Sequence, residues 1–278
     1  MMLGCVVWVL SAAFGAGGYC WLVNKYPSAF RTLNFQGLMI PASAGAAVVL
    51  ACYVSYNALQ LGQPDGKSHL YVFALAVVVS FGLLGLADDL RGDRSVGGLK
   101  GHLGLLLHRR RLSTGAAKAI GGTLISLVVG YFLHRTNPLE ALLAALIIAL
   151  SANAVNLTDT RPGRCLAVYF CLSAGGFAFG IHHVTSGVCL TFLPPLLMAI
   201  VIFIFDRKAR LMIGDAGSNT YGALAGLLWA CIAPETAQAG LLVALIWFHW
   251  WTEHHSLSKT IERIPWMKKL DNTIGVRR

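Results

Sequence analysis

Apolar runs of about twenty residues recur along the whole chain, and they limit the fold more than any other feature of the sequence. Charged residues make up only 12% of the 278 residues, and hydrophobic residues make up 56%. A helix of that length crosses the hydrocarbon core of a bilayer and satisfies its own backbone hydrogen bonds there. The runs also lack the apolar–polar alternation of a barrel strand. The sequence therefore predicts an all-α integral membrane protein.

Nine transmembrane helices are predicted in this polytopic bundle. They lie near residues 2–23, 38–60, 69–87, 113–134, 138–156, 165–182, 187–205, 218–233 and 236–252. No basic residue precedes the first run, which is therefore interpreted as a true span and not as a signal peptide. No linker or repeat divides the chain. We therefore expect one transmembrane domain over residues 1–278, with a basic cytoplasmic tail at 252–278.

The basic residues predict the orientation of this bundle. If the N-terminus lies outside and the C-terminus in the cytoplasm, 20 of the 22 Lys and Arg residues fall on the inner side, and only Lys67 and Arg135 fall outside. The net charge of +10 then reflects membrane topology, so no nucleic-acid partner is predicted. We expect a multi-pass protein of the plasma membrane with its active site facing the cytoplasm.

Polar side chains gather at the predicted inner ends of the third, fifth and seventh spans. The stretches are "GLADDLRGD" (85–93), "NAVNLTDTRPGR" (153–164) and "MIGDAGSN" (212–219). Polar groups at membrane depth usually face a protein-lined cavity. Hydrated loop acids would give a similar pattern one residue at a time, but a shared cytoplasmic cleft would satisfy the whole set. That set is Asp88, Asp89, Asn153, Asn156, Asp159 and Asp215.

Several carboxylates in one cleft repel one another unless a cation lies between them. Hard oxygen ligands without a Cys or His cluster favour Mg²⁺, with Mn²⁺ as the alternative. Lys118 lies inside the fourth span, where its charge needs a partner, and phosphate is the natural one. Gly214 and Ser218 lie where the eighth span begins, so backbone N–H groups there can also face an anion. Together these groups indicate phosphoryl or diphosphate chemistry.

Other basic residues lie on the same predicted surface. Arg161 and Arg164 follow the fifth span, and Arg109, Arg110 and Arg111 precede the fourth. The three consecutive arginines are interpreted as anchors to anionic lipid.

Three short motifs in a fixed order resemble the polyprenyl-phosphate N-acetylhexosamine-1-phosphate transferase superfamily. They are "ADD" (87–89), "NAVNLTD" (153–159) and "GDAGS" (214–218). This superfamily contains the phospho-MurNAc-pentapeptide translocase and the bacterial GlcNAc-1-phosphate transferases. The resemblance covers most of the chain between about residues 34 and 230.

The resemblance implies Mg²⁺-dependent transfer of a sugar 1-phosphate from a UDP-sugar to a polyprenyl phosphate such as undecaprenyl phosphate. UMP would leave, and the lipid-linked diphosphate sugar would serve cell-envelope polymer synthesis. By position, Asp215 resembles the metal ligand, and Asp88, Asp89 and Asp159 resemble the catalytic acids. The implied substrate-binding residues are Asn153, Asn156, Lys118, Arg161, Arg164, Met212, Gly214 and Ser218. Which acid is the base, whether attack is direct or covalent, and whether the protein is a homodimer stay open.

The sequence departs from the family pattern at several positions. Pro162 stands where a second Asp is common, Met212 where some members have an aromatic residue, and Leu38 where a basic residue is common. Nine spans are predicted instead of ten. Two other functions therefore stay open, namely a membrane transporter and an inactive family member that acts as a scaffold or lipid-binding partner.

Overall fold

The computed structural model describes residues 2–61, 69–91 and 114–277, and helices form most of it. The helices are α1 (Met2–Lys25), α2 (Pro27–Phe30), α3 (Gly45–Leu61), α4 (His69–Arg91), α5 (Thr114–Leu133), α6 (Pro138–Thr158), α7 (Arg164–Phe179), α8 (Ser186–Asp206), α9 (Gly214–Ile232), α10 (Glu235–His254), α11 (Leu257–Arg263) and α12 (Pro265–Ile274). A short 3-10 turn, Ile181–His183, precedes α8. One hairpin, β1 (Arg31–Leu33) and β2 (Met39–Pro41), is the exception to the helical pattern.

Five helices in the described part of the chain are long and apolar enough to cross a membrane. They are Gly4–Lys25, Leu70–Arg91, Thr114–Leu133, Pro138–Thr158 and Ser186–Asp206. The predicted class, an all-α membrane protein, is confirmed at this level. The total of nine spans and the orientation of the termini stay predictions. The arginines at 109–111 and Lys67 lie outside the described residues.

The second predicted span began too early. It was placed at 38–60, whereas α3 starts at Gly45. Residues 38–44 are apolar, but Met39–Pro41 pair with Arg31–Leu33 as an antiparallel hairpin. Hydropathy alone does not separate a short apolar strand from the start of a helix.

Helix α9 is the centre of the bundle. Its side chains are buried without a break from Ala216 to Ala230, and it packs against α3, α4, α6 and α7. Small residues allow these helices to approach closely, as is common within membranes. One of the close approaches is to α4, where a Cβ added at Gly85 would lie 2.2 Å from the backbone oxygen of Asp215. This approach brings the end of α4 against the start of α9.

The hairpin fixes the backbone just before α9. The amide of Met212 donates to the carbonyl of Pro41 (2.9 Å), and the amide of Ala44 donates to the carbonyl of Met212 (3.0 Å). Asn34 closes the hairpin turn through its Oδ1 and donates from Nδ2 to the carbonyl of Ala209 (3.1 Å). The position at which α9 begins is therefore set by a segment about 170 residues earlier in the chain.

The C-terminal tail is also ordered. Residues 257–274 form α11 and α12. Helix α12 lies against α7, and Asp271 of α12 is buried. The sequence predicted only a basic tail here, because the helices are short and lack an apolar run.

Candidate active site

Two carboxylates and one ammonium meet at the end of the bundle where α4 ends and α5 and α9 begin. Nζ of Lys118 lies 2.8 Å from Oδ2 of Asp88 and also donates a hydrogen bond to Oδ2 of Asp215. Asp88 belongs to the last turn of α4, and Asp215 belongs to the first turn of α9. The side chains are shielded, with exposed fractions of 15% for Lys118, 17% for Asp88 and 29% for Asp215. The three residues therefore form one polar centre, which we call the Asp88–Lys118–Asp215 centre.

Asp89 acts on the backbone of α9. Its Oδ1 accepts from the amide of Asp215 (2.8 Å), and its Oδ2 accepts from the amide of Ala216 (3.1 Å). The first amides of a helix have no partner within the helix, and a carboxylate at that end also complements the helix dipole. Ile213, which precedes α9, supplies no side-chain cap. The cap of α9 thus comes from the neighbouring helix α4, and it fixes the backbone that carries Asp215.

Gly214 lies directly beside this cap. Its φ of +69° falls in the left-handed region, and an added Cβ would lie 2.6 Å from Oδ2 of Asp89. A side chain at position 214 is therefore disfavoured for two reasons, namely the left-handed backbone conformation and the contact with the capping carboxylate.

We expect Gly214→Ala to lower the free energy of unfolding by about 1–3 kcal/mol, because the strained φ and the displaced cap both destabilise the start of α9. Thermal unfolding in detergent measures this loss. Gly240→Ala in α10 is the matched control, since its added Cβ meets nothing within 4 Å. Equal melting temperatures for the two variants would contradict the assigned backbone role of Gly214.

Asp159 lies at the C-terminal end of α6 and faces the same group of acids. Removal of this carboxyl from water raises its pKa well above the ordinary value, and the negative charges of Asp206, Asp215 and Asp89 raise it further. The next loop is held by Asp206 of α8, whose Oδ2 accepts from the amide of Gly163 (2.7 Å). Asp159 is therefore close enough to Asp215 for their negative charges to repel, and this repulsion favours a cation between them.

The residues of this site fit a magnesium ion. The ammonium of Lys118 already lies between an oxygen of Asp88 and an oxygen of Asp215, so a positive charge is stable there. Within residues 2–61, 69–91 and 114–277, no group of three or more His, Cys, Asp or Glu side chains is arranged to hold a metal. Magnesium takes one or two protein carboxylates and completes its shell with water and substrate phosphate, and Asp88 and Asp215 supply two carboxylates here.

A pocket of about 210 Å³ opens next to Lys118. Its polar lining comes from Lys118 and Thr123 of α5, Asn153 of α6 and Asn219 of α9, and the rest of the wall is apolar. Nδ2 of Asn219 also donates to the backbone oxygen of Asp215 (2.6 Å). The pocket therefore joins the Asp88–Lys118–Asp215 centre to an apolar space between the helices.

The other predicted substrate residues differ in accessibility. Met212 is 38% exposed at the start of α9, and Arg161 lies over the ring of Phe35 with 5.9 Å between the guanidinium carbon and the ring centroid. Asn156 is half-buried one turn before Asp159. Ser218 is fully buried in the packed part of α9, so a direct contact with substrate would require this packing to open.

Arg164 occupies a different environment from the one predicted. It is buried, and its guanidinium pairs with Asp271 of α12 through two hydrogen bonds. It also donates to Thr160 and Ser258. These contacts direct Arg164 toward the tail and away from the Asp88–Lys118–Asp215 centre. No pattern in the sequence indicates this pair, because the partners lie 107 positions apart.

Two residues near the site were missed by the sequence analysis as individual candidates. Asp206 lies outside the three quoted stretches, and Asn219 was not singled out although it ends the stretch "MIGDAGSN". The spacing of Asn219 was the available signal, because it lies four positions after Asp215 and positions four apart share a helix face.

Comparison with known proteins places the same region in a family. The sequence model of "Glycosyl transferase family 4" matches residues 69–233, which run from the start of α4 to the end of α9. The chain is also 30% identical over 212 residues to the phospho-N-acetylmuramoyl-pentapeptide-transferase of Moorella thermoacetica. That match covers 68% of this chain and 60% of the relative, so the chain spans about three fifths of the relative's length.

Proposed function

The chain belongs to glycosyl transferase family 4, as the resemblance of its motifs implied, and from this membership we propose that it is a polyprenyl-phosphate sugar-1-phosphate transferase. In the proposed reaction a UDP-sugar donates its sugar 1-phosphate to a polyprenyl phosphate. The products are UMP and a lipid-linked diphosphate sugar. The observation that carries the proposal is the Asp88–Lys118–Asp215 centre, which places a fixed cation and two carboxylates together at the end of the bundle.

The bond changes balance without any further reactant. An oxygen of the polyprenyl phosphate attacks the phosphorus that bears the sugar, and the bond from that phosphorus to the UMP oxygen breaks. UMP leaves with the electron pair of that bond. A phosphate monoester is already anionic near neutral pH, so alignment of the two phosphates matters more than activation of the nucleophile.

The residues of the centre divide this work. Lys118 would pair with the acceptor phosphate or the donor diphosphate and lower their mutual repulsion. Asp88, which shares Lys118, would orient the acceptor phosphate. Asp89 would support this role indirectly, because both of its oxygens already hold the first amides of α9.

Asp215 and Asp88 would hold a magnesium ion together with phosphate oxygens of the substrates. When bound, magnesium neutralises the negative charge on the diphosphate and on the departing UMP. Asp159, beside this position, would complete the donor side with Asn156, Arg161 and Met212. Asn153 would face the acceptor side, because it lines the pocket that opens at Lys118.

We further propose how the site lies in the membrane. Nine spans with the N-terminus outside place the ends of α4, α6 and α8 at the cytoplasmic face of the plasma membrane. A UDP-sugar is charged and water-soluble, whereas a polyprenyl chain stays in the bilayer. The two substrates would therefore meet where the helices end at the membrane surface. The proposed sugar is an N-acetylhexosamine and the proposed lipid is undecaprenyl phosphate, for cell-envelope polymer synthesis.

Turnover by the purified protein tests this function. We expect UMP release from UDP-GlcNAc or another UDP-sugar when undecaprenyl phosphate and Mg²⁺ are present, and loss of that release with EDTA. Mass spectrometry of the lipid product identifies the sugar. Undecaprenol without phosphate is the control acceptor, because it lacks the phosphate oxygen that attacks in the proposed reaction. A panel of UDP-sugars that gives no metal-dependent lipid product would overturn the proposal.

A further inference from the structure

A buried acid in the C-terminal tail joins two arginines from different parts of the chain. Oδ1 and Oδ2 of Asp271 accept from Nε (2.6 Å) and Nη2 (2.8 Å) of Arg164. Oδ2 of Asp271 also accepts from Nε of Arg277 (2.6 Å), and Oδ1 also accepts from Nη2 of Arg277 (2.8 Å). Asp271 is 7% exposed and Arg164 is 5% exposed. Two paired guanidinium groups around one carboxylate form a directional contact that a single surface ion pair does not provide.

The tail is also bonded to the loop between α6 and α7. Nη1 of Arg277 donates to the carbonyl of Pro162 (2.8 Å), and Nη1 of Arg164 donates to Ser258 (2.8 Å) and Thr160 (3.0 Å). Next to Pro162, a Cβ added at Gly163 would lie 3.0 Å from the backbone oxygen of Ile274. Residues 160–164 therefore rest directly on the tail.

A second set of bonds fixes the tail to the end of α8. The amide of Val276 donates to the carbonyl of Arg207 (2.8 Å), and Nη2 of Arg207 donates to the carbonyl of Thr273 (2.8 Å). The residue before Arg207, Asp206, holds the amide of Gly163 from the other side (2.7 Å). The loop that follows Asp159 is thus held between α8 and the tail.

We propose that residues 256–277 act as a positioning element for the 159–164 loop, with Asp271 as its positioning residue, so that the tail sets the affinity for the nucleotide-sugar donor. This inference rests on the proposed function, since it assigns the loop to the donor side of the site. The loop has little regular structure of its own, and its Pro162 cannot donate a backbone hydrogen bond. The bonds from the tail add to the few hydrogen bonds that the loop makes within itself, such as that from the amide of Arg164 to the carbonyl of Arg161.

The charges explain why Asp271 is the residue on which this contact depends. Without its carboxylate, the guanidinium groups of Arg164 and Arg277 would face each other as like charges. Burial opposes ionisation of Asp271, but the hydrogen bonds and charges of Arg164 and Arg277 outweigh burial and hold its pKa well below the ordinary value. The contact is therefore charged and intact at neutral pH.

We expect Asp271→Asn to raise the KM for the UDP-sugar about tenfold or more, because a small displacement of a remote support misplaces the donor. The kcat and the KM for polyprenyl phosphate should stay within about twofold, since the Asp88–Lys118–Asp215 centre does not touch the tail. Glu262→Gln in α11 is the matched control, because it makes the same change in charge at an exposed tail position. Arg277→Lys keeps the charge but loses the forked geometry, so an intermediate KM is expected.

Hydrogen exchange of the amides in 159–164 provides a readout that does not depend on turnover. Asp271→Asn should speed this exchange, whereas Glu262→Gln should leave it unchanged. The inference is overturned if both variants show wild-type exchange, or if Asp271→Asn lowers kcat and melting temperature and raises both KM values together, which would indicate general destabilisation. If the wild-type protein shows no turnover, the proposed function fails, and the exchange measurement still decides whether the tail holds the loop.

Discussion

Asp215→Asn is expected to lower kcat/KM for the UDP-sugar by about a thousandfold, which corresponds to about 4 kcal/mol of transition-state stabilisation. The amide keeps the size of the side chain but loses the negative charge that pairs with Lys118 and would bind magnesium. The fold should persist, because the contact that anchors the start of α9 runs from Asp89 to the backbone amide of residue 215 and does not use its side chain. UMP release at saturating acceptor measures the loss.

Glu235→Gln is the control for that substitution, since it makes the same chemical change in the first turn of α10 and at an exposed position. We expect near-normal turnover from this variant. Magnesium should also raise the melting temperature of the wild-type protein more than that of Asp215→Asn, because only the wild type keeps both carboxylates. Turnover by Asp215→Asn above about a tenth of the wild-type rate would remove Asp215 from the proposed metal role.

Lys118→Met is expected to lower kcat about a hundredfold or more, because it removes a fixed positive charge at the position proposed for the phosphates. A methionine of similar length keeps the packing of this 15% exposed side chain. The same substitution should strengthen the response to magnesium, since the ammonium no longer competes for Oδ2 of Asp88 and Oδ2 of Asp215. The two effects have opposite signs, which a simple folding defect would not produce.

Two measurements separate these effects. The rate of UMP release reports the lost charge, and the thermal shift as a function of Mg²⁺ concentration reports the affinity for the metal. Lys118→Arg serves as the control, because it retains the charge, and it should keep more turnover and a weaker magnesium response than Lys118→Met. An unchanged magnesium response in Lys118→Met would show that the ammonium and the metal do not share a site.

The apolar runs were sufficient to predict the class of protein. The polar motifs selected Asp88 and Asp215 as candidate site residues, and a charge inside the fourth span selected Lys118. Both inferences depend on local facts. An uncharged run of about twenty residues has few stable alternatives to a helix in a bilayer. A charged side chain inside such a helix needs a partner. For Lys118 the predicted partner was phosphate, and the structure pairs it with Asp88 and Asp215.

The separate roles of Asp88 and Asp89 could not be read from the sequence. The two residues are adjacent and chemically identical, but one pairs with Lys118 and the other caps α9. The direction in which α4 packs against α9 decides this difference. Gly85 permits the close approach, and the approach turns the carboxylate of Asp89 toward the free amides of α9.

Hydropathy and spacing act over a few turns of the chain, so the amino-acid sequence was enough to locate apolar helices and the short motifs that carry polar groups. The pairings across long separations became visible in the folded chain alone. These include the hairpin that fixes the start of α9, the cap given by Asp89 and the contact of Arg164 with Asp271. The physical reason is that a hydrogen bond or ion pair selects its partner by distance and direction in space, and neither is encoded by the identity of the neighbouring residues.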